Sequence, residues 1–150
     1  MLSCHPKRVG RWAWAVVLLL AACRPPEETT LSILFTGDVL LDRGVRQQIE
    51  SRGVDSLFSS VSPLFHAMDA TVVNLECPLT AHHTPIQKRY IFRAEPVWAK
   101  ALARAGITHA ALANNHSMDQ GRSGLADTYQ CLSNAGITPI GYGRNAAESA

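Results

Sequence analysis

A chain of 150 residues, 47% hydrophobic and 17% charged with a formal net charge of +2, is long enough for one small domain and has no basic surplus of the kind nucleic-acid binding needs. Its four cysteines include no Cys-x-x-Cys pair, which excludes the common structural zinc arrangement. Met1 to Arg11 carries Lys7, Arg8 and Arg11 but no acid, Trp12 to Leu20 is uninterruptedly apolar, and Leu20-Ala21-Ala22-Cys23 follows. That run is shorter than the roughly 20 residues that span a bilayer, so residues 1–22 read as a bacterial lipoprotein signal with Cys23 as the lipidated residue. A short uncleaved anchor is the other reading, and it leaves the domain on the same side of the membrane. Residues 23–30 form a polar, Pro-containing tether, and losing three basic residues with the signal turns the net charge to −1. Export permits disulfides; Cys77 and Cys131 are either bridged or simply buried.

Leu31 to Thr36 is predicted as a buried first strand, with Gly37 permitting a tight turn that delivers Asp38. Val45 to Arg52 follows as a helix closed by Gly53, and Pro63 to Met68 as a second, capped by Ser62. Ala70 to Asn74 is the second strand, Pro78 to Arg89 an exposed loop holding His82 and His83, and Tyr90 to Arg93 a short strand. Pro96 opens a helix to Ala105 with Val97, Trp98, Ala101, Leu102 and Ala105 on one face. Ile107 to Ala113 is the next strand, Gly121 to Ala135 the clearest helix, and Ile137 to Ile140 a further strand. Ala105-Gly106-Ile107-Thr108 and Ala135-Gly136-Ile137-Thr138 repeat one helix-to-strand turn, as expected of a βαβ connection. Asn145, followed by Ala146, Ala147 and Glu148, reads as the cap of a new helix. Residues 31–150 are therefore expected to be the N-terminal part of a longer α/β domain.

Three apolar runs end in ligand-type residues: Thr36-Gly37-Asp38, Asn74-Leu75-Glu76 and Asn114-Asn115-His116. In parallel α/β sheets the ligand crevice lies beyond the carboxyl ends of the strands, so Asp38, Glu76, Asn115 and His116 are expected on one rim. Carboxylate, amide and imidazole donors together suit a divalent metal such as Mn, Fe or Zn. Asp38 could instead cap the following helix, and Glu76 could be a structural acid offset by nearby donors. Asn115 offers an amide oxygen to a metal while His116 reaches a leaving group as the catalytic acid. Arg43 and Arg93 are candidate anion contacts, because a guanidinium presents parallel donors to phosphate or carboxylate. Asp119 is expected to start the following helix, and Gly141-x-Gly143 is too short for a nucleotide loop.

The succession Phe35 to Arg43, Val73-Asn74-Leu75-Glu76 with Pro78-Leu79-Thr80, Phe92-Arg93-Ala94, and Ala113 to Gly121 resembles the CapA family, within the calcineurin-like metallophosphoesterase superfamily. The resemblance implies a four-layered α/β/β/α sandwich with a two-metal site. On it, Asp38 matches the first acid, Glu76 the bridging acid, and Asn115 with His116 the amide ligand and its proton donor. It departs from the pattern at Leu40, where a histidine is usual, and at Cys77, where glycine is. The later histidine ligands do not occur within these residues. Together with the N-terminal signal, which supplies export and the lipid anchor, the resemblance implies an envelope protein of capsule or poly-γ-glutamate synthesis or export, acting on an anionic polymer or phosphoester, with capsule synthase subunits as membrane partners. Metal-assisted hydrolysis by the longer protein and a non-catalytic polymer-binding or assembly module are the two functions left open.

Overall fold

Four parallel strands, hydrogen-bonded in their order along the chain, form the sheet: β1 (Ile33–Val39), β2 (Ala70–Leu75), β3 (His109–Ala111) and β4 (Thr138–Ile140). Between them run α1 (Gly44–Arg52), α2 (Ser62–His66), α3 (Ala99–Arg104) and α4 (Gly121–Asn134). The computed structural model describes residues 30–143, 145 and 147–149. The expected signal, Cys23 and all of the tether but Thr30 lie outside the described residues. Among the described residues no helix is long and apolar enough to cross a membrane.

Parallel strands joined in sequential order by crossovers of one hand place every helix on the same face of the sheet. That face carries Val73, Leu75 and Ala110, each buried, and packs against Ile49 of α1, Phe65 of α2, Leu102 of α3 and Leu132 of α4. The opposite face is uncovered among the described residues. Register aligns Phe35, Val72, His109 and Thr138 in one row across it, and Asn74, Ala111 and Ile140 in the next. Phe35 stays 73% exposed and Ile33 46%. The expected α/β class holds, as one helical layer on one parallel sheet.

Several expectations need correction. The first strand does not stop at Gly37: β1 runs through Asp38, with an irregularity between Phe35 and Asp38 that keeps the acid paired opposite Asn74. Ser62 does not cap α2; its hydroxyl lies 3.2 Å from His66 Nδ1, one turn on. Pro78, Leu79 and Thr80 are fully buried rather than loop surface, and Tyr90 to Arg93 is no strand, since the pairing there is a single bridge between Leu79 and Ala94. The helix at Pro96 starts as a 3-10 turn (Pro96–Trp98) before α3, and this change of pitch turns Val97 out to solvent at 67% exposure. An additional 3-10 turn covers Val54–Leu57.

The two echoed turns behave alike: Gly106 and Gly136 both take left-handed backbone, at φ 98 and 83, to end α3 and α4. Asn145 does act as a local cap, its Oδ1 accepting the amides of Ala147 and Glu148, each at 3.1 Å. Cys77 and Cys131 are both free thiols. Cys77 is buried against the Leu41 amide, and burial pushes its thiol pKa up to about 12, so it is inert as a thiolate at neutral pH.

Candidate functional site

Asn74 is the hub of the carboxyl edge. It sits in β2 between two acids, and its Nδ2 donates to Asp38 Oδ1 at 2.8 Å and to Glu76 Oε1 at 3.2 Å. The Glu76 amide continues the ladder by donating to Val39 O at 3.0 Å, which keeps Glu76 beside the end of β1. Two carboxylates thus share one amide, and among the described residues neither has a cationic partner. Asp38 is exposed and Glu76 half-buried, so solvent screens part of their repulsion.

Asn114 ties the third strand's loop to this hub. Its Nδ2 donates to Asn74 Oδ1 at 3.0 Å and to Leu75 O at 2.9 Å, while its Oδ1 accepts the His116 amide at 2.9 Å. This explains why an Asn-Asn-His run interrupts an apolar strand: the first asparagine folds a turn that carries Asn115 and His116 alongside β2. Asn115 itself is exposed, and its carbonyl accepts from Lys88 Nζ at 2.6 Å.

His116 is buried, and Asp119 beneath it is fully so. Asp119 Oδ2 lies 2.7 Å from His116 Nδ1 and accepts the Phe92 amide at 2.8 Å; Oδ1 accepts Lys88 Nζ at 2.9 Å. Lys88 Nζ also lies 3.2 Å from His116 Nδ1. A carboxylate only accepts, so the closer Asp119 contact assigns the proton to Nδ1, and Nε2 is the nitrogen left for a substrate. The Lys88 charge meets that of Asp119, satisfying an acid that would be costly to bury alone. Asp119 therefore is not a helix starter: it orients the histidine. The His-x-x-Asp spacing was the available signal, and Lys88, nearly thirty residues earlier, gave none.

The segment from Thr84 to Phe92 is strapped over this turn. Thr84 Oγ1 donates to Gln120 O at 2.9 Å, the Ile86 amide to Asp119 O at 3.1 Å, and Gln120 Nε2 to Phe92 O at 3.2 Å. Phe92 then stacks on His116 with ring centroids 4.3 Å apart. Arg43 Cζ lies 5.1 Å from the Phe92 centroid and 5.3 Å from that of Tyr90. Arg43 is the only described non-glycine residue at positive φ, 54° with ψ −125°, a conformation that favours glycine.

Arg93 faces elsewhere. Its guanidinium donates to Glu95 at 2.7 and 3.3 Å and to Thr80 O at 2.8 Å. Glu95 also takes Arg46, which in turn holds Asp42, whose other oxygen accepts the Arg93 amide at 2.9 Å. The hydrogen bonds from Arg93 hold the Glu95 carboxyl below its ordinary range. At Asp42 burial pulls upward, but the Arg93 and Arg43 amides and the Arg46 guanidinium outweigh it, and the net shift is downward.

Among the described residues no three His, Cys, Asp or Glu side chains gather as a metal-binding group. Asp38 and Glu76 provide two hard oxygen donors side by side, which suits one face of a divalent cation, and a fuller set needs Asn115 and groups beyond those described.

The family model for bacterial capsule synthesis protein PGA_cap matches residues 32–150. The chain is 30% identical over 124 residues to PGA biosynthesis protein CapA of Bacillus subtilis (strain 168), covering 81% of this chain and 33% of that protein. It is 29% identical over 130 residues to Capsule biosynthesis protein CapA of Bacillus anthracis, covering 84% and 32%. The chain thus spans about a third of the length of these relatives.

Proposed function

Since the chain belongs to the bacterial capsule synthesis protein family PGA_cap, we propose that it serves capsule or poly-glutamate synthesis or export at the cell envelope, held to a bacterial membrane by lipid on Cys23. In this reading the edge formed by Asp38, Glu76 and Asn115 holds divalent metal, two ions of Mn, Fe or Zn in the longer protein, and works on a phosphoester or an anionic polymer alongside synthase subunits of the membrane.

The observation that supports it is the single Asn74 amide shared by Asp38 and Glu76, with no cationic side chain among the described residues to balance them. A divalent metal held by Asp38, Glu76 and Asn115 would activate water and offset charge on the phosphoryl oxygens. The chain's own residues do the rest. Asn74 fixes the spacing of the two acids, and Asn114 keeps the Asn115-His116 turn against them. His116, its Nδ1–H committed to Asp119, presents Nε2 to the leaving oxygen, and as the imidazolium it gives that oxygen the Nε2 proton.

A second reading, a non-catalytic polymer-binding or assembly module, is favoured by the lack of a third acid or histidine near the pair among the described residues. Metal analysis of the intact protein, purified without chelator, separates the two. The hydrolytic reading expects close to stoichiometric metal, about a tenfold or greater loss of metal affinity in Asn74→Ala, where only the support of the ligands is removed, and a lipid-sized mass increase at Cys23 on the same preparation. Metal far below one ion per chain, unchanged in Asp38→Ala, sinks it.

A further inference from the structure

We propose that Arg43 and Arg89, both braced on the ring of Tyr90, form a subsite that binds successive carboxylates of a polyanionic chain beside His116. The inference rests on the anionic-polymer part of the functional reading; it keeps Arg43, an anion candidate from the sequence, and joins to it Arg89 and Tyr90, which the sequence did not single out. Arg43 Cζ lies 5.3 Å from the Tyr90 centroid and Arg89 Cζ 5.1 Å from the same centroid. A guanidinium that lays its face on an aromatic ring keeps its in-plane N–H donors for a ligand.

The contrast with the neighbouring arginines is informative. Arg46 and Arg93 share Glu95, and Arg104 is clamped on Asp55 through three contacts of 2.8 to 3.0 Å. Arg43 and Arg89 are exposed, and of the described arginines that form no ion pair they are the two that stand over an aromatic ring. Arg43 is moreover held in a glycine-type conformation, and such outliers persist where surrounding contacts impose them. Here the Asp42 carboxylate accepts the Arg43 amide at 2.7 Å, a contact that helps hold this backbone conformation.

The bracket adjoins the site by two routes. Phe92 lies under Arg43 and against His116, and Lys88, next to Arg89 in the chain, bonds the Asn115 carbonyl. Tyr90 is 48% exposed, so the ring that carries both cations is reachable from solvent. A phosphate monoester brings one anionic group to the two guanidiniums, whereas a chain with carboxylates separated by methylene groups brings one to each, and on that ground the ligand is assigned as a polycarboxylate.

Binding of a glutamate decamer to the intact protein, followed by fluorescence anisotropy at fixed salt, tests the assignment, with manganese affinity measured on the same samples. Arg89→Gln and Tyr90→Leu, both in an exposed strap, and Arg43→Gly, which suits the local backbone, are each expected to weaken the decamer about tenfold or more while leaving manganese affinity as in the parent. Inorganic phosphate and free glutamate should compete only at far higher concentration. If the decamer binds parent and variants alike, the bracket is wrong although the polymer reading survives. A parent that takes manganese but not the decamer overturns the bracket and leaves the metal reading standing. Competition by phosphate on a par with the decamer overturns the polycarboxylate assignment.

Discussion

Arg43 shows how one residue can carry a backbone cost for the sake of its side chain. At φ 54° and ψ −125° it sits where an L residue is disfavoured by about 1–3 kcal/mol. Glycine would relieve that strain and give back part of the gain, about 0.4–1 kcal/mol, through a freer unfolded chain. Alanine keeps the strain and loses the stacking. Arg43→Gly is therefore expected to be more stable than Arg43→Ala by about 1 kcal/mol in urea unfolding at equal m-value, and equal midpoints would show that the conformation is not held in solution. The sequence marked Arg43 as a candidate anion contact, but neither its backbone conformation nor its stacking was visible there. Asp119 was hidden for a related reason: an acid just before a helix normally caps it, and only the Phe92 amide and Lys88, distant in sequence, draw it inward. Asp38 and Glu76 were legible because each ends an apolar run, and strand pairing carries both to one edge without any further contact.

At the scale of elements, the polar clamp between α1 and the segment before α3 does what apolar periodicity cannot announce. Arg46 of α1 reaches Asp42, Glu95 and the Arg93 carbonyl, and also stacks on Trp98 with its Cζ 5.0 Å from the ring centroid. The Gly53 stop marked the end of α1, apolar spacing found α4, and the repeated Ala-Gly-Ile-Thr turn found two helix ends. It missed the 3-10 start at Pro96, because spacing alone does not separate 3.0 from 3.6 residues per turn over three residues. The clamp has a pH signature. Asp42 and Glu95 both have folded pKa values below their ordinary 3.8 and 4.5, so the unfolded chain binds protons first as pH falls. Their contribution to stability is complete above about pH 4.5 and is lost as pH drops through the lowered folded values. The urea midpoint should be flat from pH 7 to 5 and then fall, and Arg46→Gln should lower the midpoint at neutral pH and flatten the acid limb. An acid limb as steep in that variant as in the parent would remove the clamp from the account.

For the described domain as a whole, the order of the strands matters most. A monotonic order leaves no reversal point in the sheet, so the metal-ligand candidates collect at a strand edge rather than in a switch-point crevice. It also leaves one sheet face without helices among the described residues, and that face is apolar at Ile33, Phe35, Val72 and Ile140. The sequence could not reveal this, because Leu31 to Phe35 reads as a strand buried on both sides, and burial on the second side needs a layer that the described residues do not contain. Phe35, the most exposed of these, lies in β1, whose outer backbone edge is unpaired among the described residues, and such edges invite association. The 150-residue chain alone should therefore bind an apolar dye such as ANS and self-associate with rising concentration. Phe35→Thr, which keeps strand propensity while removing the exposed ring, should reduce both effects with less than about 0.5 kcal/mol change in stability. A loss of several kcal/mol in that variant would mean that the Phe35 ring is packed in solution and that the uncovered face is already filled within this chain.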